Sequence, residues 1–204
     1  MFSLVLKNPP NVWSPFIGLC RSVVALSSFL TLLLTSNYSL FQYGAGVGEY
    51  PICRGSQQLG IFCIMRDDLG LAKLICLLIL FLVMVGVIPQ ITGILHYWVA
   101  FSINNSISIP DGGDQISSNL ALLLVPITLT DPRLFHWSKS RYPKNLYSLR
   151  SSLALVSILA IKIQICILYF YSATGKMYQR EWAEGSAMYY IFNGPFGPTG
   201  ILKI

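Results

Sequence analysis

Tyr169 to Phe192 reads YFYSATGKMYQREWAEGSAMYYIF. It closes a long apolar run, and the small residues at Ala173-Thr174-Gly175 predict a turn there. Beyond them the chain restarts as an amphipathic segment carrying Lys176, Arg180, Glu181, Trp182 and Glu184. An apolar run of spanning length delivered to a charged, aromatic segment predicts a helix that crosses a membrane and ends at its surface. The remaining residues are read from that junction outward.

Composition points the same way. Of 204 residues, 54% are hydrophobic and 11% charged, against roughly 25% charged in soluble chains, and the mean hydropathy is +0.61. A single integral membrane domain over residues 1–204 with about five spans of roughly 20 residues is expected, which leaves no room for a separate soluble domain. A net charge of +6 is also the mark of nucleic-acid binders. Its basic residues, however, cluster in one inter-helix segment without interleaved aromatic groups, so the bilayer is the expected partner and nucleic acid is not.

Ahead of the junction, Pro9, Pro10 and Pro15 rule out a helix across the N-terminal arm. The first span is expected over about Ile17 to Thr35, with Arg21 near enough to the inner surface to snorkel. Residues 36–70 read as a long polar loop. Its glycines Gly44, Gly46 and Gly48 miss the dinucleotide-binding spacing. The second span, about Leu71 to Ile88, ends at Pro89, and a weaker third follows with His96, Asn104 and Asn105 at or near membrane depth. SIPDGGDQISSN reads as a turn-rich acidic loop. The fourth run, Leu120 to Thr130, reaches spanning length only if Ile116 to Asn119 start the helix and Pro126 bends it. The fifth span is expected over about Ser152 to Tyr171, followed by an amphipathic C-terminal helix.

Lysine and arginine set the orientation. Residues 131–150 hold five of them and residues 104–117 none, so the former segment is expected in the cytoplasm. The N-terminus is then cytoplasmic, and both the Lys176 segment and the loop with Cys53 and Cys63 lie outside. Those two cysteines are a disulfide candidate if their loop meets an oxidising compartment, a bond whose geometry the sequence leaves open.

Lys162, at the middle of the fifth span, costs about 2.5–3.5 kcal/mol on insertion scales and has no acid at matching depth. It is either tolerated structurally or reaches polar groups of the third segment. His96 reads as an interhelical hydrogen-bond donor, and a metal site is not expected. Lys176 has two readings. Desolvation at the mouth of a bundle could make it a base, or it is one charge on a solvated face with Arg180 and Glu184.

The order of residues in this segment resembles the signature of the horizontally transferred transmembrane (HTTM) domain superfamily, through Gly175, Lys176, Trp182, Gly185, Ala187 and Tyr190. That superfamily includes the vitamin K-dependent γ-glutamyl carboxylase, whose corresponding lysine precedes W-x-E-G-x-x-M, here Trp182, Glu184, Gly185 and Met188. WSPFIGLCR, HYWVAFS with His96, Gly112-Gly113-Asp114-Gln115, and PITLTDPRLFHW with Asp131 and Trp137 resemble the sporulation-delaying protein B family, so the likeness spans most of the chain.

That resemblance implies a membrane protein for maturation or export of a secreted antimicrobial peptide toxin, a bacteriocin-like product, at the outer face. Its partners would be the toxin precursor and a small maturation protein. Lys176 would be the proton acceptor, with Asp114 and Gln115 near it. The carboxylase's helping histidine has no counterpart, because Asp114-Gln115 stands close to its place, and the residues name no cofactor. A non-enzymatic scaffold or chaperone for the precursor is the rival reading. Members of that branch run longer, so a C-terminally shortened chain is expected.

Overall fold

The computed structural model describes residues 12–42, 51–108, 112–138 and 149–193. The glycines of the 43–50 stretch, Pro9, Pro10 and most of the basic 139–148 stretch lie outside the described residues. The described residues are helical, with no strand among them. The chain divides into two compact units, Met1–Ala160 and Ile161–Ile204.

The first unit is built on α1 (Pro15–Leu34), α4 (Leu69–Val85), α5 (Pro89–Ser106) and α6 (Gly112–Leu129), with the short α2 (Asn37–Leu40) and α3 (Ile61–Ile64) between α1 and α4. Contacts join α1 to α4, α4 to α5, α5 to α6 and α6 back to α1, which closes a four-helix ring. Each helix turns small or polar residues inward together with a few aliphatic ones, such as Leu80 and Val83 on α4. On α1 the buried face is Gly18, Arg21, Ala25, Ser28 and Leu32, alternating steps of three and four that keep one side of a helix against its neighbours. Its outward residues are large and apolar: Leu19, Val23, Leu26, Leu30 and Leu33 are all more than 40% exposed. The same inversion holds on α4, where Ala72 and Cys76 are buried and Leu74, Leu78 and Phe81 exposed.

Close packing at the α4–α5 corner depends on glycine. Gly86 caps α4 with φ +84°, and a Cβ there would come within 2.4 Å of the His136 ring. Gly86→Ala is therefore expected to cost about 1–3 kcal/mol, from overpacking with left-handed backbone strain added. A fall in the thermal midpoint of the purified protein in detergent would show it, and an unchanged midpoint would contradict it. Pro89 opens α5 at a position where its missing N–H is not needed. Ile88 before it sits at φ 39°, its N–H donating to the Leu134 carbonyl at 2.7 Å.

Several expectations change here. The expected polar loop of residues 36–70 is in part core: Leu40, Phe41, Ile61 and Phe62 are buried, and the Phe41 and Phe62 rings meet at a tilt with centroids 5.1 Å apart. The disulfide Cys53–Cys63 closes this segment, with a Cα separation of 5.6 Å. Gly112-Gly113-Asp114-Gln115 is not a loop but the first turn of α6, where the Asp114 carboxylate suits the positive end of the helix dipole. Of the expected spans, α1 and α7 (Leu149–Met177) are long and apolar enough to cross a membrane, and α4 is a shorter apolar helix.

The second unit holds the rest of α7, then α8 (Arg180–Ala183) and α9 (Ala187–Asn193). No turn occurs at Ala173-Thr174-Gly175, since α7 continues to Met177. Within that helix the Thr174 hydroxyl donates to the Phe170 carbonyl at 2.9 Å, the local bond by which a threonine inside a helix satisfies its side chain. The single amphipathic helix expected after the junction is instead α8 and α9, separated by Gly185 at φ +78°.

Candidate functional site

The segment after α6, TDPRLFHWS, is held by a buried ion pair. Asp131 accepts from Arg133 Nε at 2.8 Å, Nη2 at 2.7 Å and the backbone N–H at 3.0 Å, with both side chains 5% exposed. Arg133 Nη1 also donates to the carbonyls of His136 and Ser138, at 2.8 and 2.9 Å. Gln90 Nε2, from α5, donates to the Asp131 carbonyl and, at 3.3 Å, to that of Arg133. Every strong polar group of the pair is satisfied, the condition under which buried charge is tolerated. The segment is tethered to the α4–α5 corner by backbone pairing of Val87 with Phe135 and by the His136 N–H donating to Gly86 at 3.1 Å.

This tether delivers His136 to α1 and α5. Its Nδ1 lies 3.4 Å from Arg21 Nη1 and its Nε2 3.4 Å from the Ser22 hydroxyl. Arg21, 1% exposed, donates through Nη2 to the Thr92 hydroxyl at 2.7 Å. Neither partner is a carboxylate: both Asp131 oxygens are engaged by Arg133. One turn along α5 from Thr92, His96 is also 1% exposed. Neither His96 Nε2 nor Arg21 Nε makes a hydrogen bond.

Two expectations are corrected by this arrangement. Arg21 does not snorkel, because it shares the inward face of Gly18, Ala25 and Ser28. His96 makes no interhelical donation through Nε2. Sequence reading missed Arg21, Thr92, Arg133 and His136 as one cluster. The available signal was the three-four spacing of small residues around Arg21.

Burial first, then the positive charges of Arg21 and Arg133, hold the His136 ring down at about 4 from an ordinary 6.5, with Asp131 opposing. A pKa lower in the folded than in the unfolded chain stabilises above about 6.5, and that stability is lost as pH falls toward 4. Acidifying the purified protein from pH 7 to 4.5 should thus lower the thermal midpoint, and lower it less in a His136→Gln variant. Equal falls in the two proteins would rule out His136 as the source.

At the other end of α1, Thr31, Thr35, Ser39, Leu40, Ile107, Ser108 and Asp114 line a cleft of about 160 Å³. Asp114 is half-buried and Gln115 exposed. Lys73 Nζ donates to the Thr35 carbonyl at 2.8 Å beside the cleft.

In the second unit, Lys176 and Trp182 come together, with the lysine Nζ 4.6 Å from the ring centroid. That is a cation–π contact, favourable to the charged amine. Arg180 Nε and Glu184 Oε1 pair at 2.7 Å on the exposed face of α8, a surface pair of small energetic weight. Lys176 does not continue their helical face, because α7 ends before Arg180. Gly175 and Gly185 are open to solvent, and a Cβ at either would meet nothing. Asp114, Gln115, Asp131 and His96 belong to the first unit. Among the described residues no group of three or more His, Cys, Asp or Glu side chains could hold a metal.

No family profile matches the chain, and no solved structure does. Two proteins of Bacillus subtilis (strain 168) do match. The uncharacterized protein YitO is 40% identical over 91% of this chain and 62% of its own length. The sporulation-delaying protein SdpB is 32% identical over 91% of this chain and 57% of its own length. The chain thus spans about three-fifths of the length of the curated relatives it matches. By sequence it is distantly SdpB-like, and nearer to YitO, across nine-tenths of its residues.

Proposed function

We propose that this chain is a multi-spanning membrane protein acting in production of a secreted peptide toxin of the sporulation-delaying kind, at the step of maturation or export. The observation that carries the reading is the 32% identity to SdpB over 91% of the chain. The outward faces support its membrane side: small and polar groups such as Gly18, Ser28 and His96 are among the residues that face inward, while large apolar residues such as Leu19, Val23, Leu74 and Phe81 are exposed. In this reading α1, α4, α5, α6 and α7 all cross the bilayer. The N-terminus and the Asp131–Arg150 segment are cytoplasmic, and Lys176 with Trp182 faces outward. Relation to the HTTM superfamily and to the carboxylase is part of the proposal, and so are the toxin precursor and a small maturation protein as partners.

The test is co-expression with a secreted toxin precursor and a neighbouring small membrane protein, followed by mass spectrometry of the released peptide. Peptide that is processed or mass-shifted only when the chain is present supports the reading. Identical peptide with and without it would sink the reading. A second reading, a scaffold that holds the precursor without chemistry, is favoured by one contact: the Trp182 face stabilises Lys176 as a cation, which suits docking better than proton abstraction.

A further inference from the structure

The cleft at the Thr35 end of α1 gathers hydroxyl-bearing residues around a carboxylate, all within the first unit: Thr31, Thr35, Ser39, Ser108 and Asp114. Thr31 and Ser108 spend their hydroxyl protons on the backbone. Thr31 Oγ1 donates to the Ser27 carbonyl at 3.1 Å, and Ser108 Oγ to the Leu40 carbonyl at 3.2 Å, so each keeps only lone pairs for anything else. An ionised Asp114 likewise only accepts. The lining is rich in acceptors and suits a ligand that brings its own protons. Its wall is also fixed in advance, because the Ser108 N–H donates to the same Leu40 carbonyl at 2.9 Å and ties the end of α5 to α2.

Charge selects among such ligands. Thr35 is the C-cap of α1 and Ile107, also in the lining, the C-cap of α5, so both helices bring the negative ends of their dipoles to the cleft. Asp114 stands in the first turn of α6, and its full negative charge outweighs the partial positive one of that helix end. A cation is therefore favoured. A bare cation, however, would meet Lys73, whose Nζ lies 2.8 Å from the carbonyl of Thr35. A zwitterion meets both signs. The cleft of about 160 Å³ has the room of about five water molecules, enough for a short alkylammonium group.

We propose that this cleft binds a primary ammonium joined by a short linker to an anionic group, as in phosphoethanolamine. The ammonium donates to the Asp114 carboxylate and to the lone pairs of Thr31 and Ser108, and the anionic group lies toward Lys73. A lipid headgroup and a free small zwitterion share this chemistry. A quaternary choline does not, because it has no N–H to give. Binding here involves no peptide, so it stands or falls separately from a role in toxin production.

The experiment uses the full chain purified in detergent. In one arm, native mass spectrometry reads retention of phosphatidylethanolamine against phosphatidylcholine, lipids that share the phosphate and differ in the N–H donors. In the other, the thermal midpoint is read with soluble phosphoethanolamine against phosphocholine. Phosphatidylethanolamine should be retained about tenfold more tightly than phosphatidylcholine, the worth of a charge-assisted hydrogen bond. Asp114→Asn should remove most of that preference, and Thr31→Val should weaken it. Should Asp114→Asn fail to fold, Thr31→Val and Ser108→Ala carry the same comparison. A preference in the lipid arm assigns the site to a headgroup, and one in the soluble arm alone assigns it to a free zwitterion. No preference in either arm overturns the proposal, as does a preference that survives every one of these substitutions.

Discussion

Asp131→Ala is expected to destabilise the first unit by about 3–5 kcal/mol, because it leaves the Arg133 guanidinium buried without its carboxylate. Against a total stability of roughly 5–15 kcal/mol, that is a third or more of the folding free energy, so the thermal midpoint should fall steeply. The measurement is the yield and thermal midpoint of detergent-solubilised protein on size exclusion. Asp131→Asn should fall between the parent and Asp131→Ala, since an amide oxygen can still accept from the Arg133 backbone. A paired Asp131→Leu, Arg133→Met variant tests the cause. Removing both charges relieves the unpaired cation, yet it also strips the His136 and Ser138 carbonyls of the Arg133 Nη1 donor, so recovery should be partial. An Asp131→Ala protein within about 1 kcal/mol of the parent would mean that the pair does not hold this segment.

The helical class and the apolar segments were legible because the signals are long: Leu71 to Ile88 has no polar interruption except Lys73. What the sequence obscured follows from reading residues one at a time. Arg21 looked like a surface-seeking cation, and its burial becomes readable only when Gly18, Ala25 and Ser28 are placed on the same face. Gly112-Gly113 looked like a turn but opens a helix. Ala173-Thr174-Gly175 looked like a break, but the Thr174 hydroxyl returns to the Phe170 and Tyr171 carbonyls within α7. The convergence of Asp131, Arg133, His136, Arg21 and Thr92 was out of reach of local pattern. It depends on the tether between the α4–α5 corner and a segment nearly fifty residues later in the chain.

Lys176→Ala is expected to lower the amount of matured peptide by about 10²–10⁴-fold if the amine moves a proton, the range in which general acid–base groups act. Lys176→Arg then decides between base and docking cation. Arginine keeps the positive charge and stacks on an indole at least as well as lysine does, but it does not lose its proton in a protein. Under proton transfer the arginine variant should be as inactive as the alanine variant. Under docking it should retain most of the yield, and Trp182→Leu, which removes the ring 4.6 Å from the amine, should reduce it. Both roles require protein levels to stay equal, and the site favours this: Lys176 is exposed and Trp182 is 39% exposed, so neither replacement leaves a cavity. A full yield of processed peptide from Lys176→Ala at equal protein level would place the working residues away from the second unit. The Asp114 cleft and the Arg21–His136 cluster would then be the next positions to vary.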